Sequence, residues 1–244
     1  MASFVRDQTT IHYEDSGSGP ALLLIAPGGM RSHIGVWEKA PFNPLREFAT
    51  GFRTIAMDQR NAGQSRGPIE AGMGWDQHTQ DQLALLDELG VERFLVMGMC
   101  IGGAYIAGLI RAAKDRVAGA VMLQPIGLEN NREAFHQMFD SWAEEAKSEH
   151  PAADFTAYRH AMFGAMDSTA PRQQFLFNAS RDEVREWTTP ILVAKGNDLY
   201  HPESTSREVV RLAQNAKLIE EWKQADTTPA AVKQIGEFLT AAAD

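Results

Sequence analysis

The chemistry of this chain centres on its single cysteine, Cys100, in the run Gly98-Met99-Cys100-Ile101-Gly102-Gly103. The run directly follows an apolar stretch ending at Met97 and directly precedes a helical pattern rich in small residues. A nucleophile carried on a tight strand-to-helix turn needs glycine on both sides, because the turn is strained and neighbouring side chains would collide. The helix N-terminus beyond it offers unpaired N–H groups and partial positive charge, which favour a thiolate and a developing oxyanion. A lone cysteine is most often a small buried hydrophobe. Here the glycine frame and the strand–turn–helix setting favour the nucleophile.

Such a turn must be held by strands and helices, and the rest of the chain reads that way. Ala21–Ala26 is a continuous apolar run, as expected of a strand covered on both faces. Further strands are expected at Ser3–Arg6, Thr10–Asp15, Arg53–Asp58, Arg93–Gly98, Val117–Leu123, Pro190–Lys195 and Lys217–Trp222. Between them lie helical patterns. Gln77–Leu89 places Leu83, Leu85, Leu86 and Leu89 on one face with acids opposite, Ile101–Ala113 carries small residues that let it lie close to a sheet, and Pro229–Ala242 begins on a proline. The alternation predicts an α/β fold with a mostly parallel, doubly wound sheet. From about Leu128 to Trp187 no strand-like run occurs, only helical pattern studded with aromatics and methionines. This predicts a helical lid of residues 128–187 inserted into a core made of 1–127 and 188–244. Most of its aromatics are expected to form its own core, and the remainder to line an apolar substrate pocket.

The motifs in this order resemble the α/β-hydrolase fold superfamily, and the resemblance covers nearly the whole chain. Gly98–Gly103 resembles the nucleophile elbow, with cysteine where most members carry serine, as in dienelactone hydrolase-like members. Ala26-Pro27-Gly28-Gly29-Met30 resembles the oxyanion loop, which usually begins His-Gly. Asp58–Ser65 resembles the Asp-x-Arg-Gly-x-Gly-x-Ser turn, expected to hold loops in place by hydrogen bonds. Gly196-Asn197-Asp198-Leu199-Tyr200-His201-Pro202 resembles the loop that carries the catalytic acid, which would be Asp198. An oxyanion needs two backbone donors, expected from Ile101 and from Gly29 or Met30.

The chain departs from the family where the catalytic histidine normally stands. Lys223-Gln224-Ala225-Asp226-Thr227-Thr228 contains no histidine, and the sequence favours neither Lys223 nor Asp226 as the group filling that space. Of the seven histidines, only His33 and His201 fall in loops expected near the elbow. A thiol is already partly ionised at neutral pH and needs a base less than a hydroxyl does. Cys100 paired with His201, oriented by Asp198, is therefore chemically feasible as a rearranged dyad, with His33 the other candidate base.

The 244 residues are 44% apolar and 23% charged, enough for one large domain with a buried core. A net charge of −9 repels phosphate backbones and excludes nucleic acid as an expected partner. No apolar run is long enough for a membrane span, and the N-terminus lacks the pattern of a signal peptide. One cysteine cannot form an internal disulfide, which fits a reducing, cytoplasmic setting. Metal-binding, phosphate-loop and dinucleotide motifs are missing, so no cofactor or metal is expected. The sequence reading is a cofactor-free hydrolase of a small, largely apolar ester, lactone or thioester. Two alternatives stay open: a lyase or isomerase that never deacylates, and a non-catalytic protein that binds a small ligand.

Overall fold

Chain segments with no polar residue on either face become the centre of the sheet, because only there is every side chain covered. The computed structural model describes residues 2–243. In chain order its strands are β1 (Ala2–Arg6), β2 (Thr9–Ser16), β3 (Ala21–Ile25), β4 (Arg53–Met57), β5 (Phe94–Met99), β6 (Val117–Leu123), β7 (Ile191–Ala194) and β8 (Ala216–Ile219). The helices are α1 (Pro44–Glu47), α2 (Trp75–Glu88), α3 (Gly102–Ala113), α4 (Arg132–Ala146), α5 (Phe155–Phe163), α6 (Arg181–Arg185), α7 (Glu203–Leu212) and α8 (Thr228–Ala243). The sheet order is β1-β2-β4-β3-β5-β6-β7-β8. β1 and β2 run antiparallel, and β2 meets β4 antiparallel, whereas β4 through β8 pair in parallel. β5, β6 and β7 are buried at every residue, while β1, at the edge, is largely exposed.

The eight strands fall where the apolar runs predict them, with ends shifted by one or two residues except at β8, which ends at Ile219, three residues before the expected Trp222. α2 begins earlier than its apolar face does. The Gln77 side chain accepts the Gly74 N–H at 3.0 Å, so the helix starts at Trp75 rather than Gln77. α2 and α3 pack together on one face of the sheet, and α8 covers β5 and β6.

The stretch between β6 and β7 holds no strand among the described residues and carries α4, α5, a short 3-10 turn over Pro171–Gln174 and α6, joined by loops and turns. Its aromatics mostly pack on one another. The Phe135 ring lies 4.5 Å from Phe177 and 5.3 Å from Phe163, and Phe139 lies 5.2 Å from Tyr158. Met166 is exposed. Two contacts tie this segment to the loops at the C-terminal ends of the strands. Phe135 meets the Tyr200 ring at 5.3 Å, and a Cβ placed on Gly29 would come within 2.6 Å of Met138 Sδ. On the outside, Arg31 pairs with Glu145 at 2.8 Å.

The turn from β5 into α3 is tight. A Cβ on Gly98 would come within 2.8 Å of the Gly102 backbone. Gly98→Ala is therefore expected to destabilise the protein by about 1–3 kcal/mol, because backbone must move. Gly51, which has open space around it, should accept alanine within about 0.5 kcal/mol. Urea unfolding of the two variants checks this; equal midpoints would contradict it.

Candidate active site

Three segments meet at the C-terminal edge of the sheet. The first is the β5–α3 turn, where Cys100 sits at φ 61°, a left-handed backbone that costs a non-glycine residue about 1–3 kcal/mol. Hydrogen bonds hold it there. The Cys100 N–H donates to the Leu123 carbonyl at 2.9 Å, and its own carbonyl accepts from Gly103 at 3.1 Å and Ile126 at 3.2 Å. The side chain is half-buried and packs against both hydrophobic clusters of the core.

The second segment is the loop after β3. It turns through a 3-10 helix over Gly29–Arg31, pinned by the Ser32 hydroxyl donating to the Ala26 carbonyl at 2.6 Å. The backbone N–H directed at the Cys100 sulfur is that of Gly28, and the partner N–H is that of Ile101. Gly29 and Met30, expected from sequence to donate to an oxyanion, stand in the 3-10 turn that directly follows. Gly28 and Gly29 both hold left-handed backbone, at φ 124° and φ 59°.

The third segment is the loop after β7. A four-residue turn closes Asp198 against His201, with their backbones paired at 3.1 and 3.3 Å. Asp198 Oδ1 accepts three bonds: from the Tyr200 N–H at 3.1 Å, the His201 N–H at 3.1 Å and His201 Nδ1 at 2.7 Å. A Cβ on Gly196 would lie 2.4 Å from the His201 carbonyl oxygen, so only glycine lets this turn fold so closely. The imidazole is 8% exposed. Its Nε2 has no aligned hydrogen-bond partner, and the group it interacts with is the Cys100 thiol.

The electrostatics follow from this line of three groups. Burial opposes ionisation of the thiol, but His201 and the N–H groups of Gly28 and Ile101 outweigh it and hold Cys100 below its ordinary range. Burial likewise opposes the charged imidazole, yet Cys100 and Asp198 raise His201 above its usual value. Asp198 is pushed up by burial but lies below the ordinary carboxylate range overall, through His201 and the N–H groups of Tyr200 and His201. The arrangement favours a thiolate–imidazolium pair backed by a carboxylate.

Lys223 enters where the family carries its histidine. Its Nζ donates to Gln124 Oε1 at 2.9 Å and stands 4.0 Å from Asp198 Oδ2, whereas Asp226 is exposed. Gln124, at the end of β6, was not singled out by sequence reasoning. No motif marks it, and only the meeting of two strand ends reveals it. His33 lies against Gly35 and Gly63 and is not among the groups acting on the thiol. The Asp58–Ser65 turn holds loops. Asp58 accepts the N–H of Ile34 and of Gln64 at 2.8 and 2.7 Å, and Arg60 forks onto Asp81 at 2.7 and 2.8 Å. The open clefts of about 550, 580 and 630 Å³ touch none of Cys100, His201 and Asp198. No cluster of metal-ligating side chains occurs among the described residues.

The family model described as the alpha/beta hydrolase fold matches residues 21–174, and the chain belongs to that family. It is 30% identical over 112 residues to haloalkane dehalogenase 2 of Mycobacterium tuberculosis, covering 46% of this chain and 37% of that protein. It is 29% identical over 122 residues to the bifunctional esterase/perhydrolase DCH of Acinetobacter calcoaceticus, covering 50% and 43%. The aligned stretches thus span about two-fifths of the curated relatives' own length. The fold is similar to that of the enol-lactonase from Burkholderia xenovorans LB400, with TM-score 0.68 at 22% identity over 98% of this chain and 100% of that one. It also matches a mutant form of a meta-cleavage product hydrolase from Pseudomonas fluorescens IP01, with TM-score 0.70 at 19% identity over 99% and 98%.

If His201 is what lowers the thiol, alkylation of native protein by iodoacetamide should reach half its maximal rate well below the ~8.5 of a free thiol. The sign is set by the thiolate, which is lost as pH falls through its lowered value. In His201→Ala burial is left opposed only by two N–H groups, so the midpoint should move up, to the free-thiol value or beyond. Intact mass at a series of pH values measures it, and an unchanged midpoint would contradict the pairing.

Proposed function

We propose that this chain is a cofactor-free hydrolase of small, largely apolar esters, lactones or thioesters, with Cys100 as nucleophile. The observation that carries the reading is the single line Asp198–His201–Cys100, with Nδ1 on the carboxylate and Nε2 left to the thiol. The Cys100 thiolate attacks the carbonyl carbon, and the carbonyl π electrons move onto oxygen. The N–H groups of Ile101 and Gly28 stabilise that oxyanion from fixed positions. As the tetrahedral intermediate collapses, imidazolium His201 gives its Nε2 proton to the departing oxygen or sulfur, leaving a thioester on Cys100. His201, now neutral, takes a proton from water. The hydroxide attacks the thioester, the acid leaves, and the thiolate–imidazolium pair is restored. Asp198 holds the ring in the tautomer that does this, while Lys223 and Gln124 fix the outer side of the carboxylate.

In this reading residues 128–187 are a cap on a core of 1–127 and 188–244. The substrate lies between the cap and the strand ends, near Met138, Phe135 and Tyr200, which explains a preference for apolar acyl groups. The enol-lactonase and the esterase/perhydrolase among similar proteins carry lactone and ester chemistry in their names, which supports the reaction class.

The test is steady-state hydrolysis of p-nitrophenyl butyrate. Cys100→Ala should lose at least about 10³ in kcat/KM, and His201→Ala about 10²–10⁴ in kcat. His201→Ala should accumulate acyl-enzyme, because thioester cleavage depends on the base more than thiolate attack does. Full esterase activity in Cys100→Ala would refute the assignment.

A further inference from the structure

A lysine left free in a loop extends its charge into water. Lys223 does not, since its side chain is only 24% exposed and its Nζ donates to Gln124 Oε1 at 2.9 Å. Gln124 is itself 8% exposed and stands in left-handed backbone at φ 39°, its N–H on the Ala194 carbonyl at 2.7 Å. Such backbone is uphill for any residue but glycine and persists only where its surroundings fix it. A neutral amide holds the ammonium in place without spending its charge. Lys195, by contrast, is spent on Glu220 and Glu203 at 3.0 and 3.6 Å. The unspent charge of Lys223 lies 4.0 Å from Asp198 Oδ2.

Asp198 therefore has His201 Nδ1 on one oxygen, at 2.7 Å, and an ammonium beside the other. The consequence appears once Cys100 is acylated. In the free protein burial lowers His201, and Cys100 and Asp198 together outweigh it. A thioester carries no charge, so Asp198 alone is then left to hold the proton on the ring. A ring that keeps its proton cannot take one from water. Lys223 opposes that retention in two ways: it shares the field of the carboxylate, and it repels a second positive charge. The other charges around the loop are engaged elsewhere. Glu129, from the segment after β6, accepts from the Ser204 hydroxyl at 3.0 Å, and Arg207 in α7 reaches Glu203 and Glu220 at 2.7 and 2.9 Å. From α4 the group that meets this loop is the uncharged Phe135 ring, on Tyr200. Asp226 is exposed.

We propose that Lys223, pinned by Gln124, is a positioning residue whose charge holds His201 neutral whenever the Cys100 sulfur carries none, as in the acyl-enzyme. It acts through Asp198 and touches neither substrate nor sulfur in this role. The neutral ring takes a proton from water at Nε2 while the water oxygen forms its bond to the thioester carbon. That proton then stays on the ring as the sulfur departs as thiolate. For turnover the inference rests on the hydrolase reading above; the effect of Lys223 on the ring does not.

The experiment has two readouts. The first is an NMR titration of the His201 ring in Cys100→Ala, which removes the sulfur's charge as acylation does; the resonance is assigned by its loss in His201→Ala. Adding Lys223→Met should raise the ring's midpoint by about 0.5–1 in pH, a threefold to tenfold gain in proton affinity, and Lys223→Arg should keep it near its starting value. The second is the decay of butyryl-enzyme, followed by intact mass after a single turnover of p-nitrophenyl butyrate. Lys223→Met should slow that decay about threefold to tenfold more at about pH 6 than at about pH 9, because only the protonated fraction of the ring has grown. A midpoint that does not move overturns the proposal, as does one that moves equally in Lys223→Met and Lys223→Arg. So does a slowing that is the same at every pH, which is what a merely structural lysine would give. A moved midpoint in a protein that never forms butyryl-enzyme would contradict the hydrolase reading and leave the role of Lys223 standing. Turnover through butyryl-enzyme with an unmoved midpoint would do the reverse.

Discussion

Everything at this site depends on holding one cysteine in a left-handed backbone at the end of a buried strand. Cys100 at φ 61° is uphill by itself, and it persists because both of its neighbouring elements are fixed. β5 is buried at every residue, α3 is buried along most of its length, and glycine at 98 lets the helix approach the strand closely. The turn sets the N–H of Ile101 beside the sulfur. Without that turn the thiol would lie among the core side chains, where burial raises its pKa and leaves it inert.

The second constraint is the relocation of the histidine. The β8–α8 loop has none, and the imidazole comes instead from within the acid loop, three residues after the carboxylate it bonds. That short separation works because Asp198 turns the chain on itself, taking two backbone N–H groups and the ring with one oxygen. A ring positioned by its own loop has little freedom, which suits a group that must face a thiol. The space left behind holds Lys223, joined to Gln124 from β6. A cation there gives the outer carboxylate oxygen a neighbour that a histidine ring would otherwise supply.

Most of this framework was legible in the sequence because it rests on local physics. Uninterrupted apolar runs such as Ala21–Ile25 can only be central strands. The glycine frame around residue 100 can only serve a tight turn, and an Asp three residues before a His in a glycine-led loop invites the pairing found. What was not legible depends on where separate segments meet. That the Gly28 N–H acts on the thiol, beside the Gly29 and Met30 that composition points to, depends on how the loop after β3 turns against the β5–α3 turn. Lys223 could not be preferred over Asp226 without knowing that Gln124 lies across from it.

The central claim is that a covalent thioester forms on Cys100, and rapid acid quench followed by intact mass measures it directly. Mixed with p-nitrophenyl butyrate, the protein should gain the mass of one butyryl group within the first turnover. Peptide mapping should place the group on Cys100, and hydroxylamine should remove it. Release of p-nitrophenol with no adduct, or with the adduct on another residue, would contradict the account.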